Sequence, residues 1–264
     1  MLYELLDQVV SHIDALDFKK EAPVLLKELK RVSPGYWKSL RNNMKQKGTK
    51  EEAIEIVEQA IAAGILSKIK EIPEIVKTMV SIINDERTNP ALRCALVGSL
   101  ALLVKPRDLI PDDAPGGYGF LDDAILLRSA LIKYVNLLPP GVSSLEEEMR
   151  ILKILSIGVP PRVLPAMQTA IIGMQYGVML LSQLPPFLLD TTIQMLVQNP
   201  MLAEIQAPAS GAQLGDTFKL PSEGQLTQTM AGTIYTEGDN ISMNFPNGES
   251  IFMSESGDIL PITD

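Results

Sequence analysis

One stretch of nineteen residues limits the folds open to this chain: KPRDLIPDDAPGGYGFLDD, residues 105–123. It contains three prolines, three glycines and five aspartates, and an apolar run lies on either side of it. Proline removes a backbone donor and restricts the residue before it, so a single helix cannot continue through this stretch. The sequence therefore predicts two apolar helices joined by a tight corner.

The rest of the first 158 residues also predicts helices with recognisable ends. Apolar residues recur at three- and four-residue spacing over 2–16, which is typical of one buried stripe. Further helices are predicted at 22–32, at 49 to about 64, and at 73–84, 89–104, 122–138 and 143–158. Their predicted signals are a stop at Ser33-Pro34-Gly35, capping boxes at Thr49 with Glu52 and at Ser143 with Glu146, a cap at Asn89 before Pro90, and a stop at Pro139-Pro140-Gly141. The polar faces of these helices are balanced in charge, which predicts solvated surfaces rather than a binding strip.

Residues 163–189 carry no charge, and the prolines around them predict one uninterrupted helix over 166–184. A helix of nineteen residues reaches the transmembrane range. Gln168, Gln175 and Ser182, however, form a polar seam, which favours burial in a bundle or an oligomer. Small residues at three- and four-residue spacing predict a close-packing face on this helix: Ala166, Ala170, Gly173 and Gly177.

The last part of the chain changes in composition. Short alternating segments divided by turns predict a β-hairpin or meander, and Asn247-Gly248 is a strong two-residue hairpin signal. Residues 207–232 are predicted to form an extended linker. An isolated strip of strands is marginal in water, so we expect this tail to dock on the helical body or on a neighbouring subunit.

Composition excludes several kinds of site. A lone Cys94 and a lone His12 allow no disulfide within the chain and none of the usual zinc clusters. No secretory signal is recognisable at the start, which predicts a cytoplasmic protein. The net charge of −9 belongs to the C-terminal part: residues 1–90 hold 14 Lys/Arg and 14 Asp/Glu. Without a basic stripe, the chain is predicted not to bind nucleic acid.

The corner motif resembles the YkvA-like family of small domains of unknown function over about residues 88–135. That family has an apolar helix, a Pro-x-Asp-Leu-Ile-Pro-Asp turn, a proline/glycine loop and a Leu-Asp-Asp that opens a second helix. The matching residues here are Pro106, Asp108, Leu109, Ile110, Pro111, Asp112, Pro115, Leu121, Asp122 and Asp123.

Three interpretations of the motif follow from its residues. As a structural corner, its aspartates accept backbone N–H bonds and Asp122 lies in the first turn of the next helix. As a partner-binding surface, the same residues face another protein. As a divalent-metal site, Asp108, Asp112, Asp113, Asp122 and Asp123 converge as oxygen ligands. In each case Lys105, Arg107 or Arg128 is a candidate to neutralise some of the carboxylates.

We therefore expect a mainly α protein: a multi-helix bundle with a small C-terminal β-hairpin or meander. The expected segments are a helical domain at 1–158, an uncharged helical segment at 159–206, and a linker with strands at 207–264. No nucleophile-elbow, phosphate-loop or zincin motif is present. We expect a non-enzymatic assembly or adaptor protein that forms a homo-oligomer or larger assembly, without metal or cofactor. The alternatives are a membrane-associated protein anchored by residues 166–184 and a metal-dependent hydrolase that uses the aspartates.

Overall fold

Helices make up most of the chain in the computed structural model, which describes residues 1–104, 109–111, 113–135, 138, 144–172 and 184–200 together with four short strands. The helices are α1 (Leu2–Asp14), α2 (Phe18–Val32), α3 (Pro34–Gln46), α4 (Glu51–Ile69), α5 (Ile72–Asn84), α6 (Pro90–Leu103), α7 (Leu121–Tyr134), α8 (Leu145–Ser156), α9 (described over 164–172) and α10 (Pro186–Gln198). A 3₁₀ turn, Pro115–Phe120, precedes α7. The fold class is mainly α, as predicted.

The four strands lie in the C-terminal part of the chain: β1 (Thr233–Glu237), β2 (Asn240–Asn244), β3 (Ser250–Met253) and β4 (Ile259–Pro261). They pair in sequence order as antiparallel neighbours, and Asn244 lies opposite Ser250. The predicted turn at Asn247-Gly248 and the predicted linker at 207–232 lie outside the described residues.

One hydrophobic core joins all ten helices. Within it α2 packs against α4 and the 3₁₀ turn, α7 against α8, and α6 against α5, α7 and α10. Cys94 lies fully buried in this core, and burial raises the pKa of its thiol to about 11. At neutral pH the thiol is therefore protonated, which agrees with its interpretation as a small buried hydrophobe.

Several helix ends follow the sequence signals and others do not. Asn89 caps α6, since its side-chain oxygen accepts the Ala91 N–H at 2.8 Å. The predicted box at Thr49 is wrong, because α4 begins after Lys50 without a side-chain cap. The box predicted at Ser143 lies one residue further on: Ser144 accepts the Glu147 N–H at 3.2 Å.

One further boundary differs from the prediction, and one helix was not predicted. Helix α4 continues through Gly64 to Ile69, because burial of Gly64 among packed helices outweighs its cost of about 1 kcal/mol in a helix. Helix α2 ends at Val32, as the stop at Ser33-Pro34-Gly35 predicted. Helix α3, which was not predicted, begins at Pro34, since the first turn of a helix tolerates a missing donor. Proline thus marks a boundary between two helices at this point.

The uncharged segment packs onto the core over its described part. Met167 and Ile171 of α9 are fully buried, whereas Ala166 is exposed and Ala170 is partly buried. Leu184 lies in a bend, so the helix does not extend to it, and residues 173–183 lie outside the described part of the chain. In the part that is described, no helix has both the length and the hydropathy to cross a membrane.

Glu58 of α4 ties three helices together. Its side chain is fully buried and accepts hydrogen bonds from Lys30 Nζ of α2 at 2.5 Å and from Arg41 Nε and Nη2 of α3 at 2.5 and 2.7 Å. Burial alone raises the pKa of Glu58, but the hydrogen bonds and charges of Arg41 and Lys30 outweigh it and hold that pKa below its ordinary value.

The lowered pKa of Glu58 predicts an acid-sensitive contribution to stability. These ion pairs stabilise the fold above about pH 4.5, the ordinary pKa of glutamate, and their contribution is lost as the pH falls through the lower folded value. Glu58→Gln should lower the free energy of unfolding at pH 7 by about 1.5–3 kcal/mol. In urea denaturation, the difference in the free energy of unfolding between this variant and the parent protein should shrink as the pH falls below about 4.5. Glu55→Gln, an exposed change on the same helix, is the control, and equal losses in both variants would contradict the prediction.

Candidate functional site

The corner motif lies between α6 and α7, and its 3₁₀ turn contacts α2 and α4. Its described residues are Leu109–Pro111 and the stretch from Asp113 into α7; Pro106, Asp108 and Asp112 lie outside them. Leu109 is half-buried and Ile110 is buried in the core, while Pro111 and Asp113 are exposed. The apolar pair therefore closes the end of the helical hairpin, as expected for a corner.

Asp122 holds the loop before it in place. It lies in the first turn of α7 with 2 % of its surface exposed, and its Oδ2 accepts the backbone N–H of Leu109 at 2.8 Å and of Ile110 at 3.1 Å. The carboxylate thus binds two residues that lie thirteen and twelve positions before it in the sequence. Its position in the first turn of the helix was predicted, but these two hydrogen bonds run back to the loop that precedes the helix.

The aspartates of the motif do not share one environment. Asp123 is buried beside Asp122, while Asp113 is exposed. Among the described residues, no group of three His, Cys, Asp or Glu side chains is placed to hold a metal ion. Asp108 and Asp112, the other two candidate ligands, lie outside the described residues.

Two glycines let the corner approach α2 closely. Gly116 and Gly117 both have positive φ, at 74° and 73°, a conformation that glycine adopts without a steric cost. A Cβ on Gly116 would lie 2.4 Å from the backbone nitrogen of Leu25, and one on Gly117 would lie 3.0 Å from the Leu16 side chain. Gly116 is therefore required for the packing of the loop against α2, while Gly117 lies against the Leu16 side chain just before that helix.

Tyr118 fastens the corner to the segment after α8. Its hydroxyl donates a hydrogen bond to the carbonyl oxygen of Gly158 at 2.9 Å, and burial raises the pKa of the phenol above its ordinary range. A Tyr hydroxyl buried in a core needs a partner of this kind. The bond joins residues forty positions apart, so the corner is anchored to a third part of the helical body.

Arg128 forms an ion-pair cluster on the next turns of α7. Its Nη1 donates to both carboxylate oxygens of Glu148 on α8, at 3.2 and 2.9 Å, and its Nη2 donates to Glu71 at the start of α5. Glu148 and Arg128 are almost fully buried, and Glu71 is partly exposed. Arg128 therefore pairs with two glutamates that the sequence-based assignment did not name.

Sequence reasoning missed both glutamate partners. Charges on the helices of 1–158 were interpreted as solvated faces, and that interpretation is wrong for Glu148 and Glu58, which are buried. One signal was present: Arg128 is the only charged residue in the run AILLRSALI, and a cation within such an apolar stretch of helix requires a buried partner.

The corner predicts a stability effect at Asp122. Asp122→Ala leaves the N–H groups of Leu109 and Ile110 without their acceptor, which should lower the free energy of unfolding by about 2–3 kcal/mol. Urea denaturation followed by circular dichroism measures it. Asp113→Ala, an exposed aspartate of the same loop, should change stability by less than about 0.5 kcal/mol. Similar losses from both substitutions would contradict the assigned role of Asp122.

Comparison with known proteins gives one family match. The model of a family described as a protein of unknown function (DUF1232) matches residues 92–127, which cover most of α6, the corner and the first half of α7. No curated protein and no solved structure matches the chain. The matched stretch contains the motif, and the match supports its relation to a family of uncharacterised domains.

Proposed function

We propose that this chain is a non-enzymatic assembly or adaptor protein, in which the corner motif is a rigid structural element and other surfaces bind protein partners. The observation that carries the proposal is the buried Asp122 carboxylate, which holds the backbone of Leu109 and Ile110. A carboxylate that acts as a general base or binds a catalytic metal must reach a substrate or ion. Asp122 is enclosed by its own loop.

The other polar groups around the corner are used in the same way. Tyr118 binds the Gly158 carbonyl, and Arg128 lies between Glu71 and Glu148. Buried polar networks of this kind hold a structure rigid when their members are paired. This use of the motif supports a structural role over the metal-dependent hydrolase, which stays the second alternative.

The small-residue face of α9 is the proposed oligomer contact. Ala166 is exposed, while the neighbouring Met167 and Ile171 fill the core of the same chain. Ala166 and Ala170 are therefore not the residues with which α9 packs onto its own core, which supports a contact with a second copy. Gly173 and Gly177, the remaining members of the proposed face, lie outside the described residues.

The C-terminal strands are proposed to dock on the helical body. The four strands form one antiparallel sheet, and β4 contacts α4. A small isolated sheet is marginal in water and gains stability by packing against a helix. We further propose that the corner belongs to the YkvA-like group, on the motif residues from Pro106 to Asp123.

Light scattering of the purified full chain, without detergent, tests the proposal. We expect an oligomer, and we expect Ala166→Leu to lower its mass by crowding the contact. Gln194→Leu, an exposed change on α10, is the matched control and should leave the mass unchanged. A monomeric parent protein would overturn the oligomer. Retention in the membrane pellet after high-salt and carbonate washes would instead favour the anchor alternative.

A divalent-cation titration of the melting temperature tests the hydrolase alternative on the same protein. A ligand that binds only the folded state must stabilise it. We expect magnesium and calcium to leave the melting temperature of the parent protein unchanged. A rise that Asp122→Asn abolishes would overturn the structural interpretation of the corner.

A further inference from the structure

A local excess of positive charge lies on α2, α3 and the segment that joins α3 to α4. Residues 17–50 contain ten Lys/Arg and only three Asp/Glu, although residues 1–90 as a whole are balanced. Helix α3 contains no acidic residue at all. The expectation that the chain lacks a basic stripe was therefore wrong, because the count over ninety residues averaged this segment with acidic neighbours.

The structure places much of this charge at the surface. The exposed cations, which we call the basic face, are Lys19, Lys20, Lys27, Arg31, Lys38, Lys45, Lys47 and Lys50. Within the described part of the chain, four of them make no ion pair: Lys19, Lys27, Lys38 and Lys50. Cations that lack a partner in an otherwise acidic protein are available to an anionic partner.

The C-terminal segment of the same chain has the complementary charge. Residues 201–264 contain nine Asp/Glu and a single Lys, so this segment carries nearly all of the net charge of the protein. In addition, β4 contacts α4, the helix that packs against both α2 and α3.

We propose that the basic face is the docking surface for the acidic segment, residues 201–264, of the same chain. The inference rests on the docked tail of the proposed function and adds the surface that receives it. Thirty-four residues separate the end of α10 from β1, and fully extended they span at most about 120 Å, so the tether does not prevent the contact. Tethering also raises the effective concentration of the segment to the millimolar range, so a weak charged surface is sufficient.

Crosslinking of the full chain with a carbodiimide, which joins an amine directly to a carboxylate, tests the proposal. We expect crosslinks from the tail carboxylates to Lys19, Lys27, Lys38 and Lys50, several-fold more often than to Lys77, an exposed lysine of α5. In 1 M salt the Debye length falls to about 3 Å, so the preference should disappear. Crosslinks spread evenly over Lys77 and the basic face would overturn the proposal.

Three further measurements separate the competing outcomes. Lys27→Glu with Lys38→Glu should reduce the remaining tail crosslinks to the basic face several-fold, whereas Lys77→Glu should leave them unchanged. Mixing isotope-labelled and unlabelled protein identifies crosslinks between copies, and a predominance of these would overturn docking within one chain. A DNA duplex or vesicles rich in anionic lipid can also be added. If either binds the protein with no loss of tail crosslinks, the proposal that the tail occupies the basic face is overturned. If light scattering shows a monomer, the proposed oligomer is refuted, but the crosslinking test of tail docking is unaffected.

Discussion

Gly116→Ala should lower the free energy of unfolding by about 2–5 kcal/mol. Gly116 has a φ of +74°, and a side chain in this left-handed region costs about 1–2 kcal/mol. The added Cβ would also lie 2.4 Å from the backbone nitrogen of Leu25 and 2.8 Å from its Cα. Because these are backbone atoms of α2, relief of the clash requires the helix or the corner to move. Urea denaturation of both proteins measures the loss.

Gly48→Ala is the matched control for this prediction. Gly48 has a φ of +79°, but nothing lies within 4 Å of the position of its missing Cβ. Gly48→Ala should therefore lower the free energy of unfolding only by the cost of the left-handed conformation, about 1–2 kcal/mol. The excess loss at Gly116 reports the close approach of the corner to α2. Equal losses in the two variants would show that the corner does not pack against Leu25 as described.

Local signals explain why some of this structure could be predicted from the sequence. The cap at Asn89 and the break between α6 and α7 each depend on residues within a few positions of one another, and both are found. The position of Asp122 in the first turn of α7 belongs to the same class. Its two hydrogen bonds to Leu109 and Ile110 were less predictable, since they close a loop whose path the sequence does not specify.

The remaining features depend on contacts between distant segments. Gly116 is constrained by α2, which lies about ninety residues earlier in the chain, and Tyr118 by Gly158. Periodicity identifies the buried side of a helix but not the residues that face it. Glu58 was therefore assigned to a solvated face, although it lies between Lys30 and Arg41. Charge counts over long windows failed for the same reason at the basic face, where neighbouring helices carry opposite excesses.

The buried pair of Arg128 and Glu148 links α7 to α8 across a part of the chain that includes residues 139–143, outside the described residues. Only 3 % of the Arg128 side chain and 4 % of the Glu148 side chain are exposed. Removing one partner of a buried pair leaves a desolvated charge, which typically costs about 3–5 kcal/mol. Replacing both partners with apolar residues of similar volume is often neutral or stabilising. The pair therefore predicts strong non-additivity between the two sites.

Arg128→Met should lower the free energy of unfolding by about 3–5 kcal/mol, and the double variant Arg128→Met with Glu148→Leu should recover most of that loss. Glu71, the other partner of Arg128, is 38 % exposed and can be hydrated by water in both variants. Urea denaturation of the parent, the two single variants and the double variant completes the cycle. Arg87→Met, which breaks the exposed pair with Asp85, is the control and should cost less than about 1 kcal/mol. Additive losses in the double variant would contradict a buried pair, because two independent sites would then each contribute in full.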